Sequence, residues 1–241
     1  MLYVVGIGPG NRENMTFQAL KAIKNSSSVV GYKTYINLVE GLLEDKKVFS
    51  NGMRKEIDRC KKAVEIAESG EDVSVVSSGD AGVFGMAGLV LEIISKSQKD
   101  VEVEIIPGIP SANGAAASLG APLMHDYVSI SLSDLLTPWK LIEKRIKLAA
   151  EGDFVICIYN PKSKGRPENL NKAVDIIMEY KLGSTPVGIV KNAKRKGEKV
   201  KISNLGRLKE EEVDMTTMVV IGNSNTYTYK DYLITPRGYQ L

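Results

Sequence analysis

Two hydrophobic periods alternate along the first half of the chain. Residues 2–8 form an apolar run typical of a buried strand, whereas Phe17, Leu20 and Ile23 recur at helical spacing. Residues 73–77 form a second short apolar run. This succession predicts repeated strand–helix units, which normally build a mostly parallel sheet with helices on both faces.

Further positions extend the same pattern. Valine and isoleucine alternate with glutamate between residues 101 and 105, which predicts a strand with one wet face. The additional helical positions are Ile57, Cys60, Val64 and Ala67, followed by Met86, Val90 and Ile94. The alternating strand positions are Val101, Val103 and Ile105.

The second half predicts an α/β sheet of mixed direction, because it is richer in hairpins. We expect helices over residues 138–150 and around residues 170–177. The predicted strands are residues 127–132, 154–159, 186–190, 199–203 and 218–222. A small-residue segment, 111–120, is expected to form a tightly packed helix. We therefore predict an α/β protein of two α/β domains, residues 1–112 and 113–241.

Composition narrows the function classes. The 241 residues are 43% hydrophobic and 25% charged, with a formal charge of +3, which is too balanced for a protein that binds nucleic acid by neutralising phosphates. Cys60 and Cys157 offer neither a disulfide framework nor zinc-ligand spacing, which favours a reducing cytoplasm. No leader pattern and no apolar stretch of about 20 residues is present, so we expect neither a secreted nor a membrane protein.

Basic residues cluster between residues 191 and 201, where they form either an anion-binding site or the solvated face of a hairpin. We favour the hairpin, since most charge runs are solvated. The cluster comprises Lys191, Lys194, Arg195, Lys196, Lys199 and Lys201.

The strongest local signal is a glycine loop, Gly6-Ile7-Gly8-Pro9-Gly10, directly after the first strand. Ligands bind at such strand ends in open α/β sheets, and glycine lets the backbone approach them closely. A dinucleotide fingerprint fits poorly, because Asn11 stands where a glycine is needed and residues 29–32 hold no acid for a ribose hydroxyl. Pro9 also removes a phosphate-binding N–H group. The loop therefore suits a ligand without a pyrophosphate.

Two more loops end predicted strands. Asp80 is the only charged residue in Ser78-Gly79-Asp80-Ala81-Gly82, where its carboxylate is expected to accept hydrogen bonds from a ribose or an amine, to cap the next helix, or both. Pro107-Gly108-Ile109-Pro110 closes a third strand. We expect the three loops to form one continuous floor at the sheet edge.

These motifs make the whole chain resemble the tetrapyrrole (corrin and porphyrin) methylase family. The matching segments are the three loops, Ile158-Tyr159-Asn160-Pro161 and Thr235-Pro236-Arg237-Gly238-Tyr239. Longer segments resemble its precorrin-3B or cobalt-factor III C(17)-methyltransferase branch: Gly31-Tyr32-Lys33-Thr34-Tyr35, Gly52-Met53-Arg54, Ser77-Ser78-Gly79-Asp80-Ala81-Gly82-Val83 and Ser131-Leu132-Ser133-Asp134-Leu135-Leu136-Thr137-Pro138-Trp139.

The resemblance implies a homodimeric cytoplasmic methyltransferase of cobalamin biosynthesis, with S-adenosylmethionine in a cleft between the two domains. It implies a tetrapyrrole substrate methylated at carbon 17 with ring contraction. We expect no protein-bound metal and, from the balanced charge and the lack of a long apolar stretch, no nucleic-acid or membrane partner. The residues expected to bind the cofactor are Gly8, Pro9, Gly10, Gly79, Asp80, Val83, Ser111, Ala112, Tyr159, Asn160, Asn192 and Ala193.

Methyl transfer from a sulfonium needs alignment and a dry site more than a nucleophile. Asp134 is the first candidate for a general acid or base, followed by Ser131 and Ser133; the alternative is that Ser133 or Asp134 caps the helix near Pro138. His125, the sole histidine, is expected at the surface or at a domain junction rather than as a proton carrier.

Other side chains have two interpretations each. Arg54, Lys33 and Arg237 either pair with substrate carboxylates or form structural ion pairs. Aromatic faces for a flat macrocycle are available at Tyr32, Tyr35, Trp139 and Tyr159. Core packing is the favoured interpretation for Trp139, Met86 and Met124. Competing functions are a methylase acting at another ring carbon, a non-catalytic ligand-binding module and, less favoured, a dinucleotide-dependent reductase.

Overall fold

The computed structural model describes residues 1–240 and contains two compact units, Met1–Ser111 and the residues from Ala112 onward. The first unit contains a five-stranded, fully parallel sheet with strand order β3-β2-β4-β1-β5. Its elements are β1 (Leu2–Gly6), α1 (Phe17–Asn25), β2 (Ser28–Tyr32), α2 (Lys33–Leu38), β3 (Lys47–Asn51), α3 (Glu56–Glu68), β4 (Val73–Ser77), α4 (Ala87–Ser97) and β5 (Val103–Ile106).

The first unit has a hydrophobic core on each face of its sheet, because successive strand residues point to opposite sides. Val4 and Val75 pack with α3 and α4, whereas their neighbours Val5 and Val76 pack with α1 and α2. Burying each such side chain stabilises the unit by roughly 1.5–3 kcal/mol. The predicted parallel sheet with helices on both faces is confirmed.

Two side chains of the predicted apolar pattern are exposed instead. Phe17 is 92% exposed, because α1 buries the face that carries Ala19, Ala22 and Ile23, and Phe17 lies on the opposite side of the helix. Ile105 is 38% exposed because β5 is an edge strand with one neighbour. The patterns also missed the strands β2 and β3.

The second unit contains a five-stranded sheet of order β10-β9-β11-β8-β7 and a small sheet of order β12-β13-β6. In the larger sheet β7 and β8 are parallel and the other pairs are antiparallel, which confirms the predicted mixed direction. Its elements are α5 (Ser111–Leu119), β6 (Gly120–Ala121), β7 (Tyr127–Ser131), α6 (Trp139–Glu151), β8 (Val155–Tyr159), α7 (Asn169–Met178), β9 (Pro186–Lys191), β10 (Lys199–Asn204), β11 (Thr217–Ile221), β12 (Tyr227–Tyr229) and β13 (Tyr232–Ile234).

Helices cover both faces of the larger sheet. The core on one face contains side chains of α6 and α7, and the core on the other contains residues of α5. A Cβ atom at Gly188 would lie 2.4 Å from the Leu119 side chain, so the missing side chain leaves the space in which α5 approaches β9. The predicted tightly packed small-residue helix is confirmed.

The basic segment belongs to the antiparallel β9–β10 hairpin, as favoured from the sequence. Two of its lysines face acidic partners: Lys191 Nζ lies 2.6 Å from Asp214 Oδ2, and Lys201 pairs with Glu211. Over residues 1–240, no helix combines the length and apolarity needed to traverse a bilayer.

Candidate functional site

Three loops meet at one edge of the first unit's sheet. β4, β1 and β5 are adjacent and parallel, so the loops that follow them begin at the same edge. Gly8 and Gly79 exchange backbone hydrogen bonds across two of these loops, at 3.0 Å and 2.7 Å. Both glycines have positive φ, 71° and 72°, which a residue with a side chain adopts only under strain. The first two glycine loops are therefore locked together through their backbones.

The third loop contacts both of the others at Gly108. A Cβ atom added there would lie 2.3 Å from the Gly79 carbonyl oxygen and 2.7 Å from the Gly6 backbone. Only a glycine allows the three backbones to approach this closely. The expectation that the three loops form a common floor is confirmed.

Asp80 connects the second and third loops. Its Oδ1 accepts hydrogen bonds from the N–H groups of Gly82 at 2.8 Å and Val83 at 3.2 Å, and its Oδ2 accepts one from Gly108 at 3.0 Å. The helix-cap interpretation is wrong, because α4 begins at Ala87 and its N-cap residue is Met86. A carboxylate accepts about four hydrogen bonds, so these three leave capacity for a ligand hydroxyl.

The candidate residues of the second unit also lie at strand ends. β9 is antiparallel to β11, and β11 is antiparallel to β8, so β7, β8 and β9 all run in one direction. Their C-terminal ends therefore share one sheet edge. The candidates at this edge are Ser131, Ser133 and Asp134 after or within β7, Tyr159 and Asn160 at β8, and Asn192 and Ala193 after β9.

Two asparagines turn the chain sharply at this edge. Asn160 and Asn192 have φ values of 51° and 52°, a region that asparagine tolerates better than most residues. The Asn160 amide donates a hydrogen bond to Ser131 Oγ at 2.9 Å, and the Asn192 N–H donates to the Thr216 carbonyl at 3.0 Å. Each turn is thus fixed to a neighbouring segment.

Three further cofactor candidates share one cluster. Ala112, Tyr159 and Ala193 pack in the same hydrophobic core, and the Ala112 N–H donates to the Tyr159 hydroxyl at 3.1 Å. The hydroxyl thereby accepts one of the N–H groups that a helix start leaves unpaired.

The three catalytic candidates form a hydrogen-bonded group. Ser131 Oγ accepts from the Ser133 N–H at 3.2 Å, and Ser133 Oγ accepts from Nη1 of Arg166. Asp134 Oδ1 lies 3.8 Å from the same nitrogen. The alternative that Ser133 or Asp134 caps α6 is wrong, because the N-cap residue of that helix is Pro138 and no side chain caps it.

Two partly or fully buried arginines were missed by the sequence reasoning. Arg166 follows β8, and Arg59 in α3 donates to Asn51 Oδ1 and to the Gly52 carbonyl, which fixes the loop that leads to Arg54. Arg59 also lines a hollow of about 360 Å³ beside β3, away from the glycine loops. Neither arginine lies in a recognisable motif, so only their contacts identify them.

The remaining candidates have simpler surroundings. His125 is at the surface, and its Nδ1 accepts from the Asp126 N–H at 2.9 Å. Trp139 packs against the second unit's core as favoured, but Met124 is 46% exposed, so its assignment to the core is wrong. Tyr32 and Tyr35 stack edge to face with ring centroids 5.2 Å apart.

The two thiols are poor nucleophiles, and the three basic candidates lack carboxylate partners among the described residues. Burial raises the pKa of the Cys60 thiol to about 11 and that of Cys157 to about 12, so neither supplies a thiolate near neutral pH. Among the described residues, no carboxylate lies within ion-pair distance of Lys33, Arg54 or Arg237, which disfavours the structural ion-pair interpretation for these three.

Comparisons with known proteins give one consistent match. A family model described as tetrapyrrole (corrin/porphyrin) methylases matches residues 1–209. A probable cobalt-factor III C(17)-methyltransferase of Salmonella typhimurium is 54% identical, over 100% of both chains. A precorrin-3B C(17)-methyltransferase of Sinorhizobium sp. is 39% identical, over 99% of this chain and 96% of that one. The crystal structure of the methyltransferase CobJ superposes with a TM-score of 0.93 at 34% identity, covering 98% of this chain and 99% of that one.

Proposed function

Because this chain belongs to the tetrapyrrole (corrin/porphyrin) methylase family, we propose that it is an S-adenosylmethionine-dependent C-methyltransferase of cobalamin biosynthesis. Its reaction is methylation of carbon 17 of cobalt-factor III or precorrin-3B, with contraction of the ring. The observation that carries this proposal is the 54% identity, over the full length of both chains, to a probable cobalt-factor III C(17)-methyltransferase.

The glycine loops suit the proposed methyl donor. S-adenosylmethionine carries a ribose and an amine but no phosphate, and Asp80 retains acceptor capacity for such a group. Gly79 has no side chain, and the space that a Cβ atom would occupy there borders Ser111 at 3.5 Å. That space is left open for the cofactor. The proposed cofactor residues of the first unit are Gly8, Pro9, Gly10, Gly79, Asp80, Val83 and Ser111, and those of the second are Ala112, Tyr159, Asn160, Asn192 and Ala193.

The chemistry requires orientation rather than a protein nucleophile. When bound, S-adenosylmethionine supplies the methyl group from a sulfonium, whose charge is neutralised as the group is transferred. The protein then contributes a fixed geometry, which rigid backbone loops provide, and the exclusion of water. Asp134, Ser131 and Ser133 are the proposed proton donors and acceptors for the ring rearrangement, since they bring one carboxyl and two hydroxyl groups together at one sheet edge.

We propose the cobalt-containing intermediate as the natural substrate. The relative named for cobalt-factor III is 54% identical and the one named for precorrin-3B is 39% identical. We also propose a homodimer that works in the cytoplasm, where its two buried, free thiols stay reduced. Light scattering tests the dimer, which has twice the 26.3 kDa mass of one chain.

A turnover assay with both intermediates tests the function. Purified protein is mixed with S-adenosylmethionine and either cobalt-factor III or metal-free precorrin-3B. We expect S-adenosylhomocysteine and a tetrapyrrole heavier by one methyl group, formed faster from the cobalt-containing compound. If the protein binds S-adenosylmethionine but forms no S-adenosylhomocysteine, the result would favour a ligand-binding module. Turnover only with another tetrapyrrole would favour a methylase of a different ring carbon.

A further inference from the structure

Arg166 is a mostly buried cation beside the candidate catalytic group. Its side chain is 13% exposed and lies in the segment between β8 and α7. Its Nε donates to Ser163 Oγ at 3.3 Å, and its Nη2 contacts Met215 Sδ at 3.8 Å. Its Nη1 donates to Ser133 Oγ. One guanidinium therefore connects its own loop, the segment after β7 and the turn before β11.

The partners of Arg166 differ from those of the other shielded cations in this unit. Lys181 is paired with Asp153 at 2.8 Å and Lys191 with Asp214 at 2.6 Å, which are compact ion pairs. Within residues 1–240, the carboxylate that Arg166 meets is Asp134, at 3.8 Å, and its shorter contacts are uncharged. Burying a cation without a close counter-charge costs free energy. A residue that only stabilised the fold would gain more from a direct carboxylate contact.

The hydrogen bonds around Arg166 use Ser131 Oγ and Ser133 Oγ as acceptors. Ser133 Oγ accepts from Arg166, and Ser131 Oγ accepts from the Ser133 N–H and from Asn160. A hydroxyl that accepts hydrogen bonds keeps its proton for donation. In the described part of the chain, no acceptor within hydrogen-bond distance takes either serine proton. The group thus offers two hydroxyl donors and one carboxylate at a single sheet edge.

We propose that Arg166 is a positioning residue for the methyl-transfer reaction, which acts by orienting Ser133 and Asp134 toward the tetrapyrrole. This inference rests on the proposed function. Arginine suits the role because its planar fork donates to several partners at fixed angles, which a lysine ammonium cannot reproduce. Arg166 itself does not need to touch the reacting atoms.

The test compares Arg166→Met, Arg166→Lys and the control Lys181→Met, which removes a shielded cation from the same unit but away from the candidate group. We expect Arg166→Met to lower kcat by about 10- to 100-fold, the range for a lost orienting contact. The tetrapyrrole KM and the Kd of S-adenosylhomocysteine should change less than threefold. Arg166→Lys should recover part of kcat, while Lys181→Met should lower Tm without lowering kcat.

A double-mutant cycle separates positioning from other roles. If Arg166 acts through Ser133, Arg166→Met should cost much less in a Ser133→Ala background than in the wild type. Additive effects, an unchanged kcat, or a tenfold rise in KM at constant kcat would each overturn the inference; the last would make Arg166 a direct substrate ligand. If Arg166→Met does not fold, Arg166→Lys carries the same cycle. An inactive wild type overturns the proposed function itself, whereas an active wild type with an equally active Arg166→Met overturns only this inference.

Discussion

Replacing Gly108 with alanine directly tests the packing of the three glycine loops. The new methyl carbon would lie 2.3 Å from the Gly79 carbonyl oxygen and 2.7 Å from the carbonyl group of Gly6, whereas ordinary contacts begin near 3.4 Å. All of these atoms belong to the backbone, so no change of side-chain rotamer relieves the overlap. At least one loop must therefore move by roughly 1 Å.

Two free-energy terms determine the size of the effect. Overpacking of this kind typically costs about 1–3 kcal/mol. The movement also disturbs the hydrogen bond from the Gly108 N–H to the Asp80 carboxylate, and a bond to a charged group contributes about 1.5–3 kcal/mol. Together they predict a loss of roughly 3–5 kcal/mol. At about 2–4 °C per kcal/mol for a chain of this size, Tm should fall by roughly 6–20 °C.

Calorimetry measures both consequences. Differential scanning gives Tm, and titration with S-adenosylhomocysteine gives Kd, which should rise at least tenfold because each 1.4 kcal/mol of lost binding is a factor of ten. Gly88→Ala is the matched control, since a Cβ atom there meets no atom within 4 Å and alanine favours the helix α4. That variant should keep its affinity, and its Tm should be unchanged or slightly higher. If Gly108→Ala keeps the wild-type Kd and Tm, the close packing of the three loops at Gly108 does not support the site.

Three other predictions concern carboxylates. Asp80→Asn keeps one acceptor oxygen, but its NH2 group must face either the Gly108 N–H or the N–H groups of Gly82 and Val83, so Tm should fall by roughly 3–12 °C and S-adenosylhomocysteine should bind more weakly. An unchanged Tm would show that the carboxylate does not stabilise these loops. Asp134→Asn should leave cofactor binding intact and lower kcat about 100-fold, and unaltered turnover would exclude it from the chemistry. Burial opposes ionisation of Asp214, but hydrogen bonds from Lys191 and Thr216 outweigh it and lower the pKa of Asp214 to about 2. Because a lowered pKa contributes stability above about pH 4 that is lost as the pH falls toward 2, the difference in urea midpoint between wild type and Asp214→Asn should be constant from pH 5 to 7 and shrink below pH 4; an equal difference at pH 6 and pH 2.5 would contradict this.

Local patterns predicted the elements whose period is strong. The strands β1 and β4 and the helices α3, α6 and α7 follow from runs of buried residues at regular spacing. The three loops were recognisable because the ends of parallel strands must share an edge. The wrong predictions concern residues whose burial depends on tertiary contacts. Phe17 and Met124 are apolar but exposed, and the local sequence pattern does not show which side of α1 faces solvent or what surrounds Met124.

The details of the candidate site were less predictable for the same reason. Asp80 and Asp134 both precede helices, which made capping plausible. Asp80 instead accepts from N–H groups of its own loop and from the Gly108 N–H of a distant loop, and Asp134 lies beside a guanidinium 32 positions away. Arg166 carries no motif, and its role follows from which segments fold beside it. Residue types and spacing therefore identify the loops, whereas contacts between segments far apart in sequence assign the roles within them.

The basic hairpin has a consequence for behaviour at high concentration. β10 is an outer strand of its sheet, and its Lys199, Val200 and Lys201 are all exposed, so the strand leaves backbone groups available to another chain. Lysines on such a strand discourage a second molecule from pairing with it, because stacking like charges is unfavourable. The residues that at first resemble an anion site thus protect the protein against edge-to-edge aggregation.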